Sequence, residues 1–207
     1  LPNEATGQQV TPPDPGILLN MAIGQFDTYT PLQMAQYVSV IANGGYRVEP
    51  RVVTSIHSPA EDKELGSIVT EHETRILNRI NNSEEDIRQV QRGFEAVTQT
   101  GGTAAGIFGE YDVTGKTGTS QTSYYGEQSK RAYWGTETNN LAFVGYYPAS
   151  KPEVAISVIV PYTGKTASHP VNKYIAKRAI EAYANLEPKD PNAETEQSAE
   201  TAENTEE

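Results

Sequence analysis

Val113-Thr114-Gly115-Lys116-Thr117-Gly118-Thr119-Ser120-Gln121 reads as one β-strand that presents a cation and two hydroxyls in close succession. Side chains alternate across a strand, so Lys116 and Gly118 share one face while Thr117 and Thr119 share the other, and Gly118 lets a ligand approach the backbone. Such a strand suits an anionic, peptide-like group. The Lys-Thr-Gly tripeptide by itself is short enough to recur by chance, so its surroundings carry the assignment.

A phosphate-binding P-loop is the chief rival, because Gly115-Lys116-Thr117 matches the end of that motif. The spacing fails: Glu110 stands where the first glycine belongs, and Gly109 lies one residue too far back. A P-loop also runs straight into a helix, whereas Gly118-Thr119-Ser120 continues in strand-like chemistry.

The chain has 207 residues, enough for one domain with a sizeable core or a large piece of a bigger one. It has no cysteine, which excludes disulfides, thiolate metal sites and a cysteine nucleophile. No run approaches the ~18 apolar residues of a membrane helix. The net charge is -11, and most of it sits in residues 187–207, which hold eight acidic residues and one lysine. With no large apolar side chain, that tail is expected to stay disordered. Without a basic stripe, nucleic acid is excluded as a partner.

Residues 1–16 read as an extended connector. Thr30-Pro31-Leu32-Gln33 opens a helix, with Thr30 as N-cap, Pro31 in the first turn and Gln33 completing a capping box. Leu32, Ala35, Val38, Ile41 and Ala42 follow at helical spacing, and Asn43-Gly44-Gly45 stops it. Residues 51–56 are expected to form a short strand and 58–66 a polar loop. A second helix starts at Ser83, with Glu84, Glu85 and Asp86 in its first turn and a stripe of Ile87, Val90, Phe94 and Val97, ending at Gly101-Gly102. Strands are expected near 111–120, 141–147 and 154–160, the last two apolar on both faces and therefore central. The short connection at 148–153 makes them an antiparallel hairpin. A final helix over 170–186 should bury Val171, Ile175, Ala179, Ala182, Tyr183 and Leu186. The result is an α+β fold, an antiparallel sheet flanked by helices.

The Lys116-Thr117-Gly118 element resembles the one that accompanies Ser-x-x-Lys and Ser-x-Asn in penicillin-binding proteins and serine β-lactamases. Asn20 to Gly24-Gln25, then Tyr29 to Tyr37 and Ile41-Ala42-Asn43-Gly44-Gly45, resemble the segment before this strand in class B penicillin-binding proteins, especially elongation-type members of Gram-positive bacteria. Many relatives have Gly-Gln-Gly where this chain has Gly24-Gln25-Phe26. The resemblance covers residues 1–186 as the C-terminal part of a transpeptidase domain, with 187–207 as the acidic tail. No lysine of the chain has Ser or Thr three positions before it, and Ser-x-Asn is absent. The nucleophile and its base are therefore not among these residues.

The resemblance implies acyl transfer through a serine ester: attack on a D-Ala-D-Ala peptide bond, then resolution by a second amine to cross-link peptidoglycan. It gives Lys116 a positive field and a tie to the Ser-x-Asn hydroxyl, gives Thr117 and Thr119 the substrate or β-lactam carboxylate, and makes the Thr119 N–H an oxyanion donor. It implies no cofactor or metal. The partners it implies are the stem peptide, β-lactams and the remaining N-terminal half of the domain, on the outer face of the plasma membrane behind an N-terminal anchor. A noncatalytic wall-peptide or partner-binding module, or a serine β-lactamase, would keep the same strand.

The long connection 122–140 carries Tyr124, Tyr125, Tyr133 and Trp134, which either wall the cleft or pack the loop on the body. His57, His72 and His169 have no metal-ligand spacing. Glu84, Glu85 and Asp86 are explained as capping residues.

Overall fold

The computed structural model describes residues 5–8, 15–21, 23–24, 27–60, 65–164 and 170–186. In chain order these form α1 (Pro15–Met21), α2 (Pro31–Ala42), β1 (Tyr46–Val48), β2 (Ser55–His57), β3 (Ile68–Glu71), β4 (Ile76–Arg79), α3 (Glu84–Thr98), β5 (Thr114–Ser123), β6 (Glu137–Tyr147), β7 (Val154–Thr163) and α4 (Val171–Leu186). Among the described residues no helix is long and apolar enough to cross a membrane.

Caps set the two central helices. Thr30 Oγ1 accepts from the Gln33 N–H at 3.2 Å, and the Gln33 side chain accepts from the Thr30 N–H at 2.9 Å. Asn43 ends α2 and brackets the turn into β1, donating to Tyr46 O at 2.7 Å and accepting from the Tyr46 N–H at 2.9 Å. At α3 the Ser83 and Asp86 side chains exchange the same reciprocal bonds, 3.1 and 3.0 Å. The Ser83 hydrogen bonds hold the Asp86 carboxyl below its usual range, and Arg92 followed by Arg88 does the same for Glu85.

The principal sheet has the order β5-β6-β7, antiparallel throughout. Its two faces close two cores. Phe143 packs with Ala104, Phe108, Val113, Ala176 and Ile180 on the α4 side. Val144 and Tyr146, one pleat on, pack with Val38, Ile41 and Phe94 on the α2 and α3 side. Two smaller two-stranded sheets, β1-β4 and β2-β3, lie in the segment between α2 and α3.

Several sequence expectations are corrected. Helix α1 and strands β1, β3 and β4 were not anticipated, and of 51–56 only Ser55 and Ile56 are in a strand. On α3 the buried seam passes from Ile87 through Gln91 to Phe94, leaving Val90 43% exposed. Gln91 joins because its amide donates to Ile41 O at 2.8 Å. On α4 the inward line is Asn172, Ala176 and Ile180 rather than Val171, Ile175, Ala179 and Ala182, all of which are exposed. Asn172 sets that rotation: its side chain donates to Ala142 O at 2.7 Å, so a polar residue occupies a buried position, and Ala176 lets the helix close on the sheet. Tyr183 is half-buried, and the side chain of Leu186 lies outside the described residues. Strand β7 is not central among the described residues but an edge, with Ile159 and Tyr162 exposed. The acidic tail, His169 and residues 25–26 and 61–64 lie outside the described residues.

Candidate active-site strand

Strand β5 pairs with β6 without a break in register, from Thr114 opposite Tyr146 to Ser123 opposite Glu137. Directly opposed residues share a face, so partners reveal direction. Lys116 stands opposite Val144, on the α2 and α3 side, and Thr117 opposite Phe143, on the α4 side. The alternation along Lys116, Thr117, Gly118 and Thr119 is thus that of an ordinary pleat. A Cβ on Gly145 would collide with the carbonyl oxygen of Thr114, which places that carbonyl on the β6 side. In an antiparallel ladder the backbone groups of successive residues point to opposite sides. Those of Thr117 and Thr119 therefore face away from β6, along the edge of β5 that no described strand covers.

Lys116 is exposed, and its Nζ donates to the Thr117 carbonyl at 2.6 Å. Thr117 is half-buried, and its hydroxyl lies 2.8 Å from that of Thr103. Thr119 is exposed. The two glycines differ in purpose. A Cβ on Gly118 would meet only the Ala142 Cβ at 3.5 Å, an ordinary contact, so this chain's own packing does not demand glycine there. A Cβ on Gly115 would collide with the Val144 carbonyl oxygen and strike the Phe143 ring at 2.6 Å.

Thr103, Asn172 and Lys173 were missed by sequence reasoning. Helix α3 ends at Thr98, ahead of the expected stop at Gly101-Gly102; Thr103 follows in the turn beyond, and Lys173 Nζ donates to its carbonyl at 2.5 Å. No local pattern signals this, because the contact spans 70 residues of chain.

The excursion after β5 is shorter than expected, since pairing continues to Ser123 and resumes at Glu137, with a short 3₁₀ helix over Gln128–Tyr133 between. Its aromatics divide. Tyr124 packs edge-on to Tyr162 at 5.0 Å, and Trp134 lies between Tyr125 and the Arg131 guanidinium. Tyr125 and Tyr133 remain 64% exposed. His57 is tied to Ser55 Oγ at 3.0 Å and Gly66 O at 2.8 Å. Among the described residues no group of three His, Cys, Asp or Glu side chains is placed to hold a metal. A surface hollow of about 330 Å³, lined by Tyr46, Arg79, Glu84 and Arg88 among others, contains none of Lys116 to Thr119. The candidate site is an open strand edge.

A family model described as penicillin binding protein transpeptidase domain matches residues 1–181. The chain is 57% identical over 190 residues to penicillin-binding protein H of Bacillus subtilis strain 168, covering 91% of this chain and 26% of that protein. It is 41% identical over 214 residues to penicillin-binding protein 2A of the same organism, covering 99% and 30%. It therefore spans less than a third of these relatives. Among solved structures it superposes on penicillin-binding protein 2B of Streptococcus pneumoniae strain R6 with a TM-score of 0.74 at 29% identity, over 91% of this chain and 30% of that one. Penicillin-binding protein A of Mycobacterium tuberculosis shares the fold, with a TM-score of 0.64 at 22% identity over 86% and 37%.

Proposed function

This chain belongs to the penicillin-binding protein transpeptidase family, and from that premise we propose that it is the C-terminal part of a peptidoglycan D,D-transpeptidase domain and supplies one wall of the active site. The observation that carries the proposal is the edge of β5 that no described strand covers, where the outward backbone groups of Thr117 and Thr119 lie, with Lys116 Nζ on the Thr117 carbonyl from one face and the threonine hydroxyls on the other.

In this reading the remaining part of the domain provides the serine and its base. The serine oxygen attacks the carbonyl of the penultimate D-Ala, and the terminal D-Ala leaves as the amine. A second amine then takes the acyl group and the serine is released. Thr117 and Thr119 hold the terminal carboxylate, which fixes the scissile bond along the strand. The Thr119 N–H, pointing outward, donates to the oxygen that gains charge in the tetrahedral state, and losing one such donor costs about 2.7 to 4 kcal/mol. Lys116 now rests on the Thr117 carbonyl, and its flexible stem allows the ammonium to swing toward a hydroxyl presented from the rest of the domain. A β-lactam enters the same frame because its carboxylate and strained amide sit where the stem peptide's would. The reading places the strand on the outer face of the plasma membrane, where stem peptides lie.

Intact-mass spectrometry after incubation with penicillin tests it. The complete domain containing this chain should gain one penicillin per molecule, and the 207-residue chain none. A stoichiometric adduct on the 207-residue chain would show that a nucleophile resides here after all.

A further inference from the structure

We propose that Thr103 is a positioning residue for Thr117, with Lys173 as its brace, and that together they hold the Thr117 hydroxyl ready to donate to a substrate carboxylate. This rests on the carboxylate-binding reading of Thr117 given above.

A threonine hydroxyl has one proton to donate. The Thr103 and Thr117 hydroxyls are 2.8 Å apart, so one donates to the other. Thr117 serves an anion only when it accepts from Thr103 and keeps its own proton free. Donation then runs from Thr103 to Thr117 to carboxylate, and each bond in such a chain polarises the next.

Thr103 is held firmly enough for this. The backbone on either side is pinned by Gly102 N–H to Gln99 O and Ala104 N–H to Val97 O, each 2.9 Å, with Ala104 only 1% exposed in the α4-side core. Lys173 Nζ grips the Thr103 carbonyl at 2.5 Å. Lys173 is itself placed by its neighbour Asn172, 4% exposed, which bonds Ala142 O directly opposite Gly118. The first turn of α4 is thus tied to both Thr103 and the strand beside the Lys-Thr-Gly element. It also sets a second cation on the Thr117 face of β5, while Lys116 stands on the other.

In the complete domain, binding and acylation should be measured separately for a penicillin and for its carboxyl methyl ester. Thr103→Val should raise the dissociation constant of the free acid about tenfold, the scale of a hydrogen bond to a charged group, with little change in the acylation rate constant or in ester binding. Thr103→Ser should restore the acid, and Thr103→Val with Thr117→Val should lose no more than Thr117→Val alone. Equal losses for acid and ester, or additive losses in the double variant, would reduce Thr103 to packing and overturn the proposal. If Thr117→Val leaves acid-over-ester selectivity intact, the carboxylate reading beneath it falls instead. Should Thr103→Val not fold, Lys173→Met provides the same test: a several-fold loss for the acid alone supports the brace, and no loss overturns it.

Discussion

Gly115 and Gly145 stand directly opposite each other on β5 and β6, and the ring of Phe143 lies over both. A Cβ on Gly115 would come within 2.6 Å of the ring, and one on Gly145 within 3.0 Å. Phe143 is fully buried, so the ring has nowhere to retreat. The residue before Lys116 is glycine because the Val144 carbonyl oxygen and the Phe143 ring of the neighbouring strand together fill the space of its side chain. This contact sets the height of β5 over the core.

Gly115→Ala should therefore destabilise the fold by about 1 to 3 kcal/mol, as overpacking of a close-packed core does. Thermal denaturation measures the loss. Gly118→Ala, which meets only an ordinary contact, should leave the melting temperature nearly unchanged while weakening penicillin binding.

Asn172→Ala should cost about 1 to 3 kcal/mol, because it removes the buried side-chain bond to the Ala142 carbonyl. An unchanged melting temperature would show that α4 is oriented by Ala176 and Ile180 alone.

Ser83→Ala removes the α3 cap and should cost about 1 kcal/mol. The same loss should appear in amide exchange at the first turn of α3, where the Asp86 N–H loses its acceptor.

Tyr146 is 2% exposed, and burial first, with Glu95 and Asp112 adding charge repulsion, pushes its hydroxyl pKa up to about 12. A raised folded value means stability that is complete below the unfolded pKa near 10 and is lost as pH rises through 12. The wild-type melting temperature should accordingly fall more steeply between pH 10 and 12 than that of Tyr146→Phe. Parallel curves would contradict the assignment.

The parts of this fold legible in the sequence were those with local chemistry. Thr30 and Gln33 mark α2, Ser83 and Asp86 mark α3, and the β6-β7 hairpin follows from its short turn. The rotation of α4 was not legible, because the residue that sets it, Asn172, is polar and earns its burial from one carbonyl 30 positions away. Strands β1, β3 and β4 were missed because they are short and mostly exposed, Ile68 and Val69 of β3 among them, and so carry no alternating pattern. At the candidate site, Lys116 to Thr119 was legible as part of a strand, whereas the contacts of Thr103 and Lys173 became visible only when folding brought α4 and the turn after α3 against β5.

Binding and activation of the acyl donor at the β5 edge are open to one decisive measurement, the second-order rate of penicillin acylation in the complete domain carrying Lys116→Ala. That rate should fall about 100-fold or more, the scale of losing one preorganised electrostatic group, with the melting temperature nearly unchanged because Lys116 is exposed. An acylation rate equal to wild type would contradict it.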